Sequence, residues 1–339
     1  MITLSEVAEA AGVSRSAVSK ALLGGGGKTT KVSEKNIIRI RETAARLGYR
    51  PNLLAQRLAN KRQDIIGVII DSQCCGLYNN IMSTIEHLTF SSGCRLQVGL
   101  VHDSYDAIKK YVDDLLGYNI QSVICLAHYY SFAEQIPPLF KPFKNALFIS
   151  KPMTEKKFSF VSPDYYAIFY EAVEYLLKLN HRRIVFAKTN YDTYDARVRA
   201  QAFHDAHRAY GVEYVEEQIY KENAGEIDTP ELMDRFLSDI LPLKPDALIL
   251  GNGIAINWCI RKLRERNLRV PEDISIIGMD DWSGSQAMTP SITVMNNNYR
   301  EIARQAVQLI QENAKNETPQ IKEIFIRGQL VLGESCTRK

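Results

Sequence analysis

The chain reads as an all-α helix-turn-helix head, then a hinge helix, then an α/β core of two Rossmann-like subdomains. Three observations predict this. The first 23 residues hold two short helical patterns joined through a glycine. A basic excess is confined to the first 62 residues, and short apolar strands alternate with helical stretches after them. Apolar spacing separates the two classes, because helices repeat near 3.6 residues and strands near 2. The boundaries predicted are 1–50 for the head, 51–63 for the hinge helix and 64–339 for the core.

The head follows in chain order. Thr3-Leu4-Ser5-Glu6 is a capping box: the Thr3 hydroxyl takes the Glu6 amide and the Glu6 carboxylate returns to the Thr3 amide. Leu4, Val7, Ala8 and Ala11 then recur at helical spacing, and Gly12 closes the helix because the turn wants positive φ. Ser14 caps a second helix with Ala17, Val18, Ala21 and Leu22 inward. Ser33 caps a third, with Ile37, Ile40, Ala44 and Leu47 on one stripe and Gly48 as its stop. Helix, glycine turn and helix make the helix-turn-helix pattern.

The outward residues of the second helix, Arg15, Ser16, Ser19 and Lys20, crowd its N-terminal half. A recognition helix meets base edges there, with Arg forking onto guanine and Ser bonding bases or phosphate. Asn52 caps the hinge helix, which carries Leu54 and Leu58 beside Arg57, Lys61 and Arg62. Such a helix is too short to stand alone in water, so it folds where a symmetry mate and a minor groove cover its leucines, with Leu58 as a wedge. The residues expected against DNA are Thr3, Leu4, Ser14, Arg15, Ser16, Ser19, Lys20, Tyr49, Asn52, Ala55 and Leu58.

Charge supports this division. The whole chain carries 42 Lys+Arg against 39 Asp+Glu, a net +3. Residues 1–62 hold 12 basic and 4 acidic side chains, so the head is +8 and the remainder −5. A head built to meet a polyanion and a body that is not have this split. No run approaches the ~18 apolar residues of a membrane span, and no secretory signal pattern opens the chain. The six cysteines, at 74, 75, 94, 125, 259 and 336, form no C-x-x-C pair. They read as reduced thiols of a cytoplasmic protein, with no metal and no cofactor expected.

In the core, candidate strands fall at 65–70, 96–101, 122–127, 146–150, 183–187, 246–251 and 274–279, with helices such as 165–179, 197–210 and 254–266 between them. That alternation implies right-handed crossovers and parallel sheets covered on both faces. Ligands of such sheets bind beyond the carboxyl ends of the strands. Strand ends bring Ser72, Cys74, Asp103, Asp164, Asn252 and Asp280 there, and Tyr78 and Trp282 are candidates to stack on a ring.

Several of these segments resemble the lactose/galactose repressor (LacI/GalR) family. The likeness runs through 3–22 (TLSEVAEAAGVSRSAVSKAL), Val32-Ser33 and Leu47-Gly48-Tyr49-Arg50-Pro51-Asn52. It continues in Ile66-Gly67-Val68-Ile69-Ile70, in His181-Arg182-Arg183-Ile184 and in 269–281 (RVPEDISIIGMDD). The resemblance implies a homodimer reading a pseudo-palindromic operator in double-stranded DNA. It also implies a periplasmic-binding-protein-like core, with a small-molecule effector, a carbohydrate by family habit, held between the two subdomains. Those would comprise 64–161 with 294–323, and 162–293 with 324–339. It places Arg199 as a forked donor to the effector, Asp280 as an acceptor and Asn297 on the cleft wall. Three positions depart from the pattern. Gly24 to Gly27 lengthen the turn before the third helix, Asn180 replaces a glycine, and Gly253 stands where the family commonly has an aspartate.

Enzyme motifs fail on spacing. Gly27-Lys28-Thr29 would need a glycine where Leu22 stands, and Gly251-Asn252-Gly253 would need one where Ile256 stands. His204 and His207 lack a third metal ligand with suitable spacing, and Asp280-Asp281 point to opposite faces of a strand. Three readings remain distinct: a ligand-responsive DNA-binding dimer, a sugar-modifying α/β enzyme with a helical appendage, and a plain sugar-binding protein. Only the first needs residues 1–62 for its function.

Overall fold

A computed structural model describes residues 2–23, 32–50, 65–72, 77–222, 229–251, 253–282 and 284–339. The chain forms two compact units, one up to Asp64 and one from Ile65 onward. In the head, α1 (Leu4–Ala11), α2 (Arg15–Leu23) and α3 (Glu34–Arg46) pack around Val7, Ala8, Ala11, Val18, Ile40 and Ala44. The capping box is made as the sequence specifies. Thr3 N donates to Glu6 Oε2 at 2.7 Å, and Glu6 N donates to Thr3 Oγ1 at 3.3 Å. Gly12 takes φ +60°, a left-handed conformation that ends α1 at little cost for a residue without Cβ. Ser14 and Ser33 each accept an amide of their helix's first turn, from Ala17 and Asn36.

The second unit holds two six-stranded sheets. The first has the order β11-β5-β4-β3-β1-β2, with β1 Ile65–Asp71, β2 Arg95–Val101, β3 Ser122–Cys125, β4 Asn145–Ile149, β5 Ser159–Pro163 and β11 Glu323–Ile326. The second has the order β12-β10-β9-β8-β6-β7, with β6 Ile184–Thr189, β7 Ile219–Glu222, β8 Ala247–Leu250, β9 Ser275–Gly278, β10 Thr293–Asn296 and β12 Gln329–Val331. Central strands such as β3, β8 and β9 are buried along their whole length because helices cover both faces. On the first sheet α4 (Leu77–Ser91) and α11 (Tyr299–Lys315) cover one face. The other face takes α5 (Tyr105–Gly117) and the segment containing α6 (Ile136–Leu139). On the second sheet α7 (Tyr165–Lys178) and α8 (Tyr194–Ala209) cover one face, and α9 (Pro230–Ile240) and α10 (Gly253–Glu265) the other.

One expectation is corrected. The sheets are not wholly parallel, since β12 runs antiparallel to β10 with Met295 opposite Leu330. The chain crosses between the sheets three times, after Pro163, after Asn296 and after Ile326. In each case a short strand runs to the end of its own sheet before leaving it. These strands are too short for a two-residue period to announce them. Two of the family-like segments serve folding. The Asp246 carboxylate accepts the amides of Arg182 and Arg183 and lies 3.3 Å from the buried His181 ring. Asp273 accepts the Arg269 amide at 2.8 Å. No helix among the described residues is long and apolar enough to cross a membrane.

Candidate functional site

The head presents α2 by its N-terminus. Arg15 and Ser16 are exposed there, while Ser19 and Lys20 are half-buried. Ser14 Oγ lies 2.9 Å from Ser16 Oγ, so the cap and its neighbour form one small hydroxyl pair. Arg15 has no hydrogen bond or ion pair among the described residues, which leaves its guanidinium open to a ligand. Thr3 is exposed, but its hydroxyl and amide are engaged with Glu6. Leu4 and Tyr49 pack against the head's core, so they shape the surface more than they extend from it. Asn52, Ala55 and Leu58 lie outside the described residues, as does the glycine-rich turn 24–27.

In the second unit the carboxyl ends of the strands gather a charged cluster. Arg199, on α8, donates from Nη1 to Asp195 Oδ2 at 2.7 Å, one helical turn earlier. Asp195 Oδ1 accepts the Thr193 hydroxyl at 2.6 Å, which holds the carboxylate in place. The Tyr165 ring lies under the guanidinium, 4.4 Å from its carbon. From the other sheet, Ser150 Oγ lies 3.0 Å from the Tyr165 hydroxyl. Asp280 follows β9 and accepts at one oxygen, Oδ1, from Asn297 Nδ2 and the Tyr299 hydroxyl, both at 2.8 Å. Asn297 Oδ1 is buried without a hydrogen-bond partner among the described residues.

The electrostatics follow from burial. Desolvation pushes the Asp280 carboxyl up to about 6, against the opposing pull of Arg199 and its two donors. Desolvation also pushes the Tyr165 phenol up to about 12. For Arg199 burial disfavours the charge, but Asp195, with Tyr165 and Asp280, outweighs it and holds the guanidinium above its ordinary range. Nearby His128 is pushed down to about 4 by burial, while its Nε2 sits 2.6 Å from the Ile149 carbonyl. It is therefore neutral at pH 7 with the proton on Nε2.

The remaining predicted residues divide. Asp164 caps α7 by accepting the Ala167 amide at 3.0 Å, so one of its oxygens is committed to the helix. Ser72 and Asp103 are exposed and join none of these bonds. Trp282 packs over Gly278 at the end of β9 and Gly253 at the start of α10. A Cβ built on Gly253 would lie 2.6 Å from Trp282 Cε2. The indole thus fills the space that a side chain at 253 would take, and this accounts for the glycine there. Cys74 and Asn252 lie outside the described residues. Tyr78 belongs to α4, and its side chain is not described.

Sequence reasoning missed Asp195, Tyr165, Tyr299 and Ser150. Only Asp195 left a readable signal, the i,i+4 spacing to Arg199. The strand-end rule also points to Asp71 and His102, but not to Tyr130, which joins them in an N-subdomain group at the end of β1. There the Asp71 carboxylate accepts the Tyr130 hydroxyl and lies 3.2 Å from His102 Nδ1. His207 turns inward and bonds the Phe203 carbonyl at 2.8 Å, away from His204, whose ring meets Tyr214. Among the described residues no group of three or more His, Cys, Asp or Glu is arranged to hold a metal ion.

The chain thus has an N-terminal helix-turn-helix and a core of two six-stranded sheets. Residues 3–52 match the family described as bacterial regulatory proteins, lacI family, and residues 173–336 match a periplasmic binding protein-like domain. The chain is 24% identical to the HTH-type transcriptional repressor PurR of Mannheimia succiniciproducens, over 100% of the chain and 99% of that relative. It is also 24% identical to the repressor CytR of Escherichia coli K12, over 93% and 90%. Its fold is that of a Lac repressor dimer bound to operator and an anti-inducer, with TM-score 0.82 at 22% identity over 99% of each chain. A complex of the regulator CelR with cellobiose has TM-score 0.72 at 21% identity, over 99% and 100%.

Proposed function

We propose that this LacI-type chain is a transcriptional repressor that binds a pseudo-palindromic operator as a homodimer and answers to a small polar effector, a carbohydrate. The observation that carries the reading is Arg15, exposed and unpaired beside Ser16 at the capped N-terminus of α2, in a domain matched to DNA-binding regulators. Free cations on such a surface supply phosphate affinity with strong salt dependence, and a forked Arg supplies base choice. The work is binding, not catalysis, and its place is the cytoplasm, where operator DNA is.

Dimerisation is supported by one edge of the first sheet. Val98 and Leu100 on the edge strand β2 are exposed, as are Phe90, Tyr111 and Tyr118 on the flanking elements. An apolar sheet edge of this kind is a liability that a second copy would cover. The effector reading rests on Arg199, Asp280 and Asn297 meeting at the carboxyl edge of the second sheet, with Trp282 close by. Effector bound there acts on DNA only through unequal affinity for two subdomain arrangements.

The test is a gel shift with the full chain on fragments of the neighbouring genome, repeated with a panel of neutral sugars. A tight, salt-sensitive shift on one pseudo-palindrome, altered by one sugar, is the expected result. No specific shift with or without sugar would overturn the reading.

A further inference from the structure

Arg199 is a largely buried cation of the cleft, and its charge is already matched. Asp195 takes Nη1 at 2.7 Å, and the two side chains are only 15% and 12% exposed. Thr193 locks that carboxylate from its other oxygen. Asp280 brings a second carboxylate into the field of the same guanidinium. Lys188 lies in the field of Asp195 as well, but it shares that field with Lys221, Asp192 and Glu216 and forms no ion pair among the described residues, so Asp195 stays bonded to Arg199. Neutral His128 adds no charge.

What stays open is a donor–acceptor pair. Among the described residues, Arg199 Nε and Nη2 make no hydrogen bond, and Asp280 Oδ2 accepts none; none of these atoms is enclosed. A hydroxyl accepts from the first and donates to the second. A phosphate or carboxylate accepts only. It would meet Arg199 while two carboxylates repel it, and at low dielectric such repulsion costs more than the one extra bond returns.

We propose that the cleft selects effectors that are uncharged where they meet Arg199, neutral polyols rather than phosphorylated or carboxylated sugars, and that Asp195 enforces the choice. This rests on the effector site proposed above. A built-in repulsive group is a common route to such discrimination.

Inorganic phosphate is the probe. Its binding to the full chain is measured by calorimetry and by thermal shift at constant ionic strength. The wild type, Asp195→Asn, Asp195→Ser and Asp195→Asn/Arg199→Ala are compared, with circular dichroism to confirm that each folds. Freed of its internal partner, Arg199 should bind phosphate at least about tenfold more tightly in either single variant. The double variant should lose the gain, which separates the cleft from the basic head. A wild type that already binds phosphate through Arg199, or single variants that gain nothing, would overturn the proposal. A parallel arm offers glucose and glucose 6-phosphate to the wild type and to Arg199→Ala. Preference for the phosphorylated form, lost with Arg199, sinks the charge rule and leaves the effector site standing. Neutral sugars that bind equally well without Arg199 sink the effector site, and with it the proposal.

Discussion

The head and the cleft both place an arginine where a ligand is expected, and they treat it in opposite ways. Arg15 stands exposed as the first residue of α2, with no partner among the described residues, on a helix whose other face is packed. Arg199 lies largely buried, stacked on Tyr165 and bonded to Asp195. DNA is a polyanion that brings its own counter-charge, so a cation waiting in water loses little by being unpaired. A small polar molecule brings no such charge. A cation that must await it away from water needs a partner of its own, or burial would be prohibitive.

The sharpest way to break the comparison is to truncate both arginines. Arg199→Ala leaves Asp195 and Asp280 facing each other without the guanidinium, and should cost about 3 kcal/mol of unfolding free energy, read by urea melts. The effector response should vanish with it, while the folded fraction still shifts operator DNA. A variant as stable as the wild type would mean that the internal ion pair contributes nothing.

Asp280 sharpens the same contrast through pH. Its folded carboxyl titrates near 6 against an ordinary 3.8. The folded chain therefore binds a proton that the unfolded chain has released, and stability rests on the protonated form. That contribution is present below the ordinary value and is lost as pH rises through about 6. The wild type should lose about 2 kcal/mol relative to Asp280→Asn between pH 4 and 7. Parallel melting curves for the two proteins across that window would contradict the assignment.

Arg15→Ala should leave the melting curve unchanged and weaken specific operator binding by about 1.5 kcal/mol. The loss would be smaller on unrelated DNA, as titrations at fixed salt would report. Equal losses on both would reduce Arg15 to a phosphate contact. The smallest effect is structural. Thr3→Ala removes one half of the α1 capping box and should cost about 1 kcal/mol of head stability, measured on hydrogen exchange of α1 amides.

Much of the head was legible because its logic is local. Thr3 with Glu6, Gly12, Ser14 and Ser33 each act on residues within one turn, so sequence spacing alone specified the three helices and the face that α2 turns outward. The core's alternation of strand and helix was legible for the same reason, since buried parallel strands must be apolar runs. Which strands join which sheet was not. β5, β10 and β11 are four or five residues long, and their sheet is decided by partners more than a hundred residues away in some cases.

Asp280 was legible as a strand-end residue, whereas Arg199 and Asn297 were named through the family resemblance. That Arg199 is neutralised by Asp195, that Tyr165 underlies it, and that Trp282 occupies the place of a residue-253 side chain were decided only by the tertiary structure. Charge balance in a cleft is a property of distances between side chains on different elements, and burial sets how much each distance is worth. A sequence lists the charges, but folding determines which of them are already matched when the effector arrives.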